Sequence, residues 1–221
     1  MGLMLRVVFA ERLLGNVAVV SSFGTESAVL LHLVAQADKT VPVIFVDTLK
    51  MFPETLEYRE TLMQAFGFTD SRVVTPLEDV LAAKDANGLR WSYDPDGCCD
   101  IRKVEPMARG LAPYAAWFTG RKRFQSATRA KLDVFEAVGE RIRVNPLARW
   151  TTSDLADYMR AHALRENPLV AYGYLSIGCF PCTQPVKPGE DARSGRWAGQ
   201  AKVECGIHLS GLEQSLTDAS L

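Results

Sequence analysis

Two pairs of cysteines are the residues of this 221-residue chain whose types and spacing point most directly to chemistry. Cys98 and Cys99 are adjacent, whereas two residues separate Cys179 from Cys182. Such pairs can bind zinc, hold an iron–sulfur cluster or form a redox dithiol. Adjacent cysteines reach one zinc ion poorly, but each can bind a different iron of a cubane. Ligand geometry therefore favours a four-iron cluster over zinc. A redox dithiol is the weakest of the three hypotheses, because the second pair lies in loop-rich sequence.

The fifth cysteine, Cys205, lies in polar sequence near the end of the chain. A reactive thiol needs nearby positive groups that lower its pKa. The candidates here are Arg193, Arg196, Lys202 and His208. An inert, partly buried thiol is the alternative interpretation. The polar surroundings favour a reactive thiol.

The composition is that of an ordinary globular protein, with 48% hydrophobic and 23% charged residues. A formal net charge of −1 excludes a global basic field that would recruit nucleic acid. No apolar run reaches the roughly 18–20 residues that a membrane span needs. The charged N-terminus predicts a short amphipathic helix and not a signal peptide. We therefore expect a cytoplasmic protein with reduced thiols and no structural disulfides.

Strand and helix patterns alternate along the first half of the chain, which predicts a parallel sheet covered on both faces. Strands are predicted at residues 17–20, 43–46, 72–75 and 115–119. Helices are predicted at residues 25–37, 53–66 and 77–83, and another is predicted to be capped by Ser153 and to end near His162. The predicted fold class is α/β with a Rossmann-like sheet, followed by a loop-rich C-terminal tail.

A hydroxyl-rich loop, SSFGTES, joins the first predicted strand to the first helix of the alternating pattern. Backbone N–H groups at such a helix start bind phosphate or sulfate, although a plain capped turn is the alternative. The loop resembles the modified loop of the adenine-nucleotide alpha-hydrolase group, which binds AMP-like moieties. The candidate substrate-binding residues are Ser21, Ser22, Phe23, Gly24, Thr25, Glu26 and Ser27, with Asp47 and Thr48 at the end of the next strand.

Six segments together resemble the assimilatory adenylyl-sulfate (APS) reductases over about residues 15–208: SSFGTESAVLLH, DTLKMFPET, CCDIRKVEP, TGRKRFQS, GCFPCTQPVKPGEDARSGRWAG and ECGIH. The resemblance implies a cytoplasmic, thioredoxin-dependent enzyme that reduces APS to sulfite and AMP. It implies a 4Fe-4S cluster on Cys98, Cys99, Cys179 and Cys182, and Cys205 as the nucleophile. It divides the chain into a nucleotide-binding α/β part, residues 1–175, and a cluster and catalytic-cysteine tail, residues 176–221, within one structural unit.

The proposed reaction also needs basic groups, because a thiolate must approach a substrate that already carries phosphate and sulfate charge. Lys103 is expected about one helical turn from Cys99, between cluster and substrate. His208 is expected to orient or protonate groups near Cys205. The candidate basic substrate ligands are Arg102, Arg123, Arg193 and Arg196. A solvated helix face is the alternative for such charge runs.

Several other functions are compatible with parts of the pattern. The phosphoadenylyl-sulfate (PAPS) reductases look similar but lack the two cysteine pairs, so the pairs favour APS over PAPS or dual use. A nucleotide-dependent sulfurtransferase would not need Cys205 near the chain end. A non-catalytic iron–sulfur or zinc module would have no catalytic activity, so replacement of Cys205 would cause no loss of turnover. Family members are often homo-oligomers, and no nucleic-acid or membrane partner is expected.

Overall fold

The computed structural model describes residues 13–199, 202 and 204–208, together with Leu5, Val8, Leu212 and Leu216. Most of the predicted N-terminal amphipathic helix lies outside these residues. Within the described part, one sheet has the strand order β3-β2-β1-β4-β6-β5. Its strands are β1 (Val17–Val20), β2 (Val43–Val46), β3 (Ser71–Val74), β4 (Ala116–Thr119), β5 (Phe135–Val138) and β6 (Arg141–Val144).

The sheet is mainly parallel, as predicted. β1 pairs in parallel with both β2 and β4, β2 with β3, and β4 with β6. β5 is antiparallel to β6, and the two form an edge hairpin that the sequence patterns did not predict. Gly139 in its turn has φ +57°, a left-handed conformation that favours glycine.

Helices cover both faces of the sheet. They are α1 (Ser27–Ala35), α2 (Pro53–Phe66), α3 (Glu78–Lys84), α4 (Arg90–Tyr93), α5 (Pro95–Cys99), α6 (Glu105–Leu111) and α7 (Thr152–Ala161). Because successive strand residues point to opposite sides, the strands contribute to two cores. On one face Val19, Phe45 and Phe118 belong to a core that also contains residues of α1, α2 and α7. On the other face Ala18, Ile44 and Trp117 pack with residues of α6 and with Leu212 and Leu216.

The predicted cap of α7 was wrong by two residues. The side chain of Thr151, not Ser153, accepts a hydrogen bond from the Asp154 N–H. The Asp154 carboxylate in turn accepts from the Thr151 N–H, at 2.7 Å. This reciprocal pair satisfies two backbone donors, so it places the helix start at Thr152.

A π-helical turn, Asp100–Val104, joins α5 to α6 and follows directly after Cys99. Such turns carry an additional residue and occur frequently at functional sites. Cys98 and Cys99 are both buried at the end of α5. The turn therefore brings the adjacent cysteines and Lys103 into one continuous helical segment.

The described chain after Asn167 is held by short 3₁₀ turns and isolated bridges, in agreement with the predicted loop-rich tail. The turns are Pro168–Tyr172, Phe180–Cys182 and Gly206–His208. Cys179 pairs with Met51, and Thr183 pairs with Arg196. Among the described residues, no helix has the length and apolarity needed to cross a bilayer.

Candidate active site

A cavity of about 280 Å³ lies at the carboxyl ends of three parallel strands. Val20 of β1, Val46 of β2 and Thr119 of β4 are the last residues of their strands, and all three line it. The chain passes from β1 to β2 on one side, whereas β4 lies on the other side of β1. Ligands of α/β sheets bind at such a switch point.

The hydroxyl-rich loop forms one wall of this cavity. All the predicted loop residues line it except Phe23, which is fully buried below the loop with φ +50°. The Phe23 N–H donates to Ser21 Oγ at 3.2 Å, and its carbonyl accepts from Asn167 Nδ2 at 2.9 Å. Phe23 also packs edge-on against Phe45. Phe23 thus holds the loop shape, while its neighbours face the cavity.

Within the described part of the chain, seven positive side chains also line the cavity. Partly buried carboxylates neutralise some of them, as expected for charges removed from water. Lys122 Nζ donates to Glu26 Oε2 at 2.5 Å, and Arg121 pairs with Glu136. Burial lowers the pKa of Arg121 to about 10, so this guanidinium stays charged at neutral pH. The cations that line the cavity are Lys103, Arg121, Lys122, Arg129, Arg143, Arg193 and Arg196.

Arg196, which lines the cavity, has one donor without an acceptor among the described residues. Its buried Nε has no hydrogen-bond partner within the described residues, while its Nη1 donates to the Ile177 carbonyl at 3.3 Å. The guanidinium lies 4.4 Å from the centroid of the buried Trp197 ring. The cation–π contact with Trp197 orients the Arg196 guanidinium. A buried donor without an acceptor is suited to an anionic ligand.

Cys205 is buried in the lining of the same cavity, near Lys103. A hydrogen bond with the Cys99 thiol lowers the pKa of Cys205 well below its ordinary value, against the opposing effect of burial. The positive charges of Lys103 and Arg196 also lower this pKa. The site therefore places a buried thiol beside Lys103 and Arg196, in a cavity lined by cations.

The other cysteines line a second, smaller cavity. It contains Cys98, Cys99, Cys179 and Cys182, and all five cysteines are free thiols. Burial raises the pKa of Cys98 to about 11 and raises that of Cys182. Within the described residues no three or more Cys, His, Asp or Glu side chains are arranged as a metal-binding group. Lys103 and Trp197 line both cavities and so lie between them.

Arg102 does not line the larger cavity but supports the cysteine cavity. Its Nε and Nη2 donate to Asp85 Oδ2 at 2.9 and 2.7 Å, and its Nη1 donates to the Thr48 carbonyl at 2.8 Å. The Thr48 hydroxyl lies 3.1 Å from Cys179 Sγ. A chain of polar contacts therefore runs from Asp85 to one of the predicted cluster ligands.

The substitution Asp85→Asn is expected to lower the free energy of unfolding by about 3 kcal/mol, because it leaves the Arg102 charge buried without its counter-ion. The Asp85 side chain is 0% exposed. Urea unfolding followed by circular dichroism measures the change. The exposed Asp79 on α3 provides the control, and Asp79→Asn should change stability by no more than about 0.5 kcal/mol. Equal unfolding midpoints for the two variants would contradict the assigned role of the buried pair.

The remaining predicted residues lie away from the larger cavity or outside the described side chains. The Asp47 carboxylate accepts from the Leu49 N–H, and Arg123 Nε donates to the Leu132 carbonyl. The side chain of His208 lies outside the described part, so its predicted role stays a prediction.

Sequence reasoning missed Arg129, Arg143 and Glu204, which all line the cavity. Glu204 had a usable signal, since it directly precedes Cys205. Arg129 and Arg143 carried no comparable signal in the sequence.

The sheet, its switch-point cavity and the modified loop place this chain among the α/β proteins with an adenine-nucleotide alpha-hydrolase-like fold. The phosphoadenosine phosphosulfate reductase domain family matches residues 16–185. The chain belongs to this family.

Curated relatives and a solved structure agree with that assignment. The adenosine 5'-phosphosulfate reductase of Mesorhizobium japonicum is 72% identical over 93% of this chain and 81% of its own length. The protein of the same name from a Chelativorans species is 65% identical, over 93% and 84%. The crystal structure of phosphoadenylyl-sulfate reductase from Candida auris, a phosphate complex, is 28% identical with a TM-score of 0.67, covering 82% of this chain and 88% of the other.

Proposed function

We propose that this protein reduces APS to sulfite and AMP, with Cys205 as nucleophile and thioredoxin as electron donor. One observation carries the proposal: Cys205 lies in the wall of a cation-lined cavity at the carboxyl ends of the strands. The names of the two relatives at 72% and 65% identity support APS as the substrate. The reaction would serve cytoplasmic sulfate assimilation and cysteine biosynthesis, where dithiol reductants stay reduced.

In the first step the Cys205 thiolate attacks the sulfonyl sulfur of APS. A bond forms between Cys205 Sγ and that sulfur, the bond from sulfur to the bridging phosphate oxygen breaks, and AMP leaves. The thiosulfonate Cys205–S–SO₃⁻ remains. Lys103 and Arg196 lie where they would offset repulsion between thiolate and substrate and stabilise charge on the leaving phosphate.

In the second step a thioredoxin thiolate attacks Cys205 Sγ, and sulfite leaves with the electron pair of the broken S–S bond. The second thioredoxin thiol then resolves the mixed disulfide and releases the Cys205 thiolate. The two electrons that reduce the sulfonate to sulfite thus come from one dithiol, which becomes a disulfide. No step needs electrons from another source.

The chemistry of the smaller cavity fits a 4Fe-4S cluster. Its cysteines comprise an adjacent pair and a pair separated by two residues, and no carboxylate or imidazole lines the cavity among the described residues. Cys98, Cys99, Cys179 and Cys182 would hold the cluster as thiolates. When bound, the cluster would supply negative charge and would tie the tail to residues 98–99. Lys103, which lines both cavities, would balance that charge on the substrate side.

Anaerobic purification, iron and acid-labile sulfide analysis, and turnover with APS against PAPS test the proposal together. We expect iron and sulfide in equal amounts, and sulfite release with APS and reduced thioredoxin that greatly exceeds release with PAPS. Faster turnover with PAPS would reassign the substrate to that of the Candida auris relative. Absence of sulfite release with both nucleotides would overturn the proposed function.

The substitution Gly178→Ala is expected to weaken APS binding about tenfold, because the new methyl group would occupy the space of the Arg196 guanidinium. The displaced group is the end of a flexible side chain, so folding stability should change little. Equilibrium binding of APS measures the effect. Arg196→Ala provides the matched comparison and should weaken binding at least as much. Unchanged APS affinity in the Gly178→Ala variant would contradict the role of Arg196.

A further inference from the structure

The residue before the proposed nucleophile is a carboxylate buried among arginines. Glu204 is only 5% exposed and lines the larger cavity. A buried carboxylate is stable only with charged or hydrogen-bonding partners. Arg129 provides a two-pronged contact, with Nε donating to Oε2 at 2.9 Å and Nη2 donating to Oε1 at 3.0 Å. Arg193 Nη2 donates to Oε1 at 3.1 Å.

The same carboxylate also binds the backbone of the nucleophile. The Cys205 N–H donates to Glu204 Oε1 at 2.9 Å. Arg129 is itself held, because its Nη1 donates to Gln125 Oε1 at 2.5 Å. Glu204 therefore connects the Cys205 backbone to Arg129, which lies 75 residues before Glu204 in the chain.

The partners of Glu204 keep its carboxyl group ionised although it is buried. Burial alone would raise the pKa of its carboxyl group. Interaction with Arg129 and Arg193, and the hydrogen bond from the Cys205 N–H, instead hold this pKa below its ordinary value. The contact is thus an ion pair at neutral pH.

The segment around Cys205 is closely packed in this arrangement. Cys205 is only 6% exposed. A Cβ added at Gly206 would lie 2.9 Å from Val104 Cγ2, so only glycine fits there without a shift of the neighbour. A bulky reductant could not reach Cys205 Sγ unless this segment left its place.

We infer that Glu204 is a positioning residue, whose ion pair with Arg129 and Arg193 seats Cys205 at the cavity for attack and releases it for reduction. The inference rests on the proposed function. An ion pair suits such a reversible anchor, because water solvates both charges once the segment leaves.

The isosteric substitution Glu204→Gln tests the anchor in the iron-loaded protein without substrate. Iodoacetamide alkylation of Cys205, located by mass spectrometry of peptides, should become at least about tenfold faster, because the segment leaves its buried position more often. Glu190→Gln is the matched control: Glu190 is exposed in the same tail, where it accepts from the Lys187 N–H. Its alkylation rate should equal that of the parent protein. Equal rates in the Glu204→Gln and Glu190→Gln variants would overturn the inference.

Single-turnover experiments separate positioning from general structural damage. In the Glu204→Gln variant, formation of the Cys205 thiosulfonate should slow at least about tenfold, while the APS dissociation constant stays the same or falls because a negative charge has left the site. A parallel loss of APS affinity and of thiosulfonate formation would show damage to the site and would contradict a positioning role.

A second variant and the thiosulfonate measurement on the parent protein test the anchor independently of Glu204→Gln. Arg129→Gln removes the other partner, so it should accelerate Cys205 alkylation, and the double variant should add little because both changes break one contact. Additive effects would contradict the ion-pair anchor. If the parent protein formed no thiosulfonate, the proposed function would fail while a faster alkylation of the Glu204→Gln variant would still support the anchor.

Discussion

Replacement of Cys205 by serine is expected to abolish sulfite release from APS while leaving substrate binding intact. A serine hydroxyl is far less ionised than a thiol at neutral pH, and its oxygen could not form the S–S bond that thioredoxin later breaks. Loss of a nucleophile that acts through a covalent intermediate lowers turnover by a factor on the order of 10⁴ or more. Sulfite release under anaerobic conditions with reduced thioredoxin measures this loss.

Binding and metal content provide the internal controls for Cys205→Ser. The APS dissociation constant should change by less than about threefold, because the cavity cations hold the phosphate and sulfate. Iron and sulfide should stay at the parent level, since Cys205 is not among the proposed ligands. Mass spectrometry of the parent after one turnover should place the sulfonate on Cys205. A sulfonate on another residue, or substantial turnover by Cys205→Ser, would refute the mechanism.

Replacement of Cys179 by serine is expected to remove most of the iron and, with it, most of the activity. Soft thiolate ligands are strongly preferred by iron–sulfur clusters, and an alcohol oxygen replaces them poorly. Cys179 is also where the tail meets the segment that follows β2, through its bridge to Met51 and the contact of its Sγ with the Thr48 hydroxyl. Loss of the cluster should therefore loosen the tail that carries Arg193 and Cys205. Turnover should fall at least about a hundredfold, because the cations and the nucleophile lose their common geometry.

Iron and acid-labile sulfide analysis, with electronic absorption, measures the effect of Cys179→Ser independently of turnover. Cys205→Ser is the matched control, because the same chemical change at the fifth cysteine should leave the metal content unaltered. The two variants are thus expected to differ in metal content. Cys205→Ser should keep its iron but lose turnover, whereas Cys179→Ser should lose most of both. Full iron content together with full turnover in Cys179→Ser would contradict the proposed ligand set.

Local patterns were sufficient for much of the fold and for the loop wall of the site. Apolar strands followed by hydroxyl or acidic residues predicted β1 and β2 and placed residues 21–27 at a sheet edge, where the cavity now lies. Prediction was poorer at the β5–β6 hairpin, whose burial is uneven and whose hydrophobic pattern is correspondingly weak. The cap at Thr151 was missed because Ser and Thr residues stand together at positions 151–153, and only hydrogen-bond geometry distinguishes them.

The basic residues show most clearly where sequence reasoning reached its limit. Arg102 was predicted to bind substrate, but its side chain pairs with Asp85 and so supports the cysteine cavity. Arg129 gave no signal, although it lines the larger cavity and pairs with Glu204. The positions of arginines and lysines in the sequence do not show which of them line the cavity and which pair with a protein carboxylate elsewhere. Whether an arginine meets a substrate or a protein carboxylate depends on a partner that lies far away in the chain.

By itself the sequence determined the parallel α/β order, the hydroxyl-rich turn after β1 and the separation of Cys205 from the two cysteine pairs. These features follow from short-range periodicity and spacing. Only the tertiary structure decided that Lys103 and Trp197 lie between two cavities, and that Glu204 joins Cys205 to Arg129 and Arg193. The physical reason is that buried charges are stable only beside opposite charges, and folding brings those partners together from distant segments.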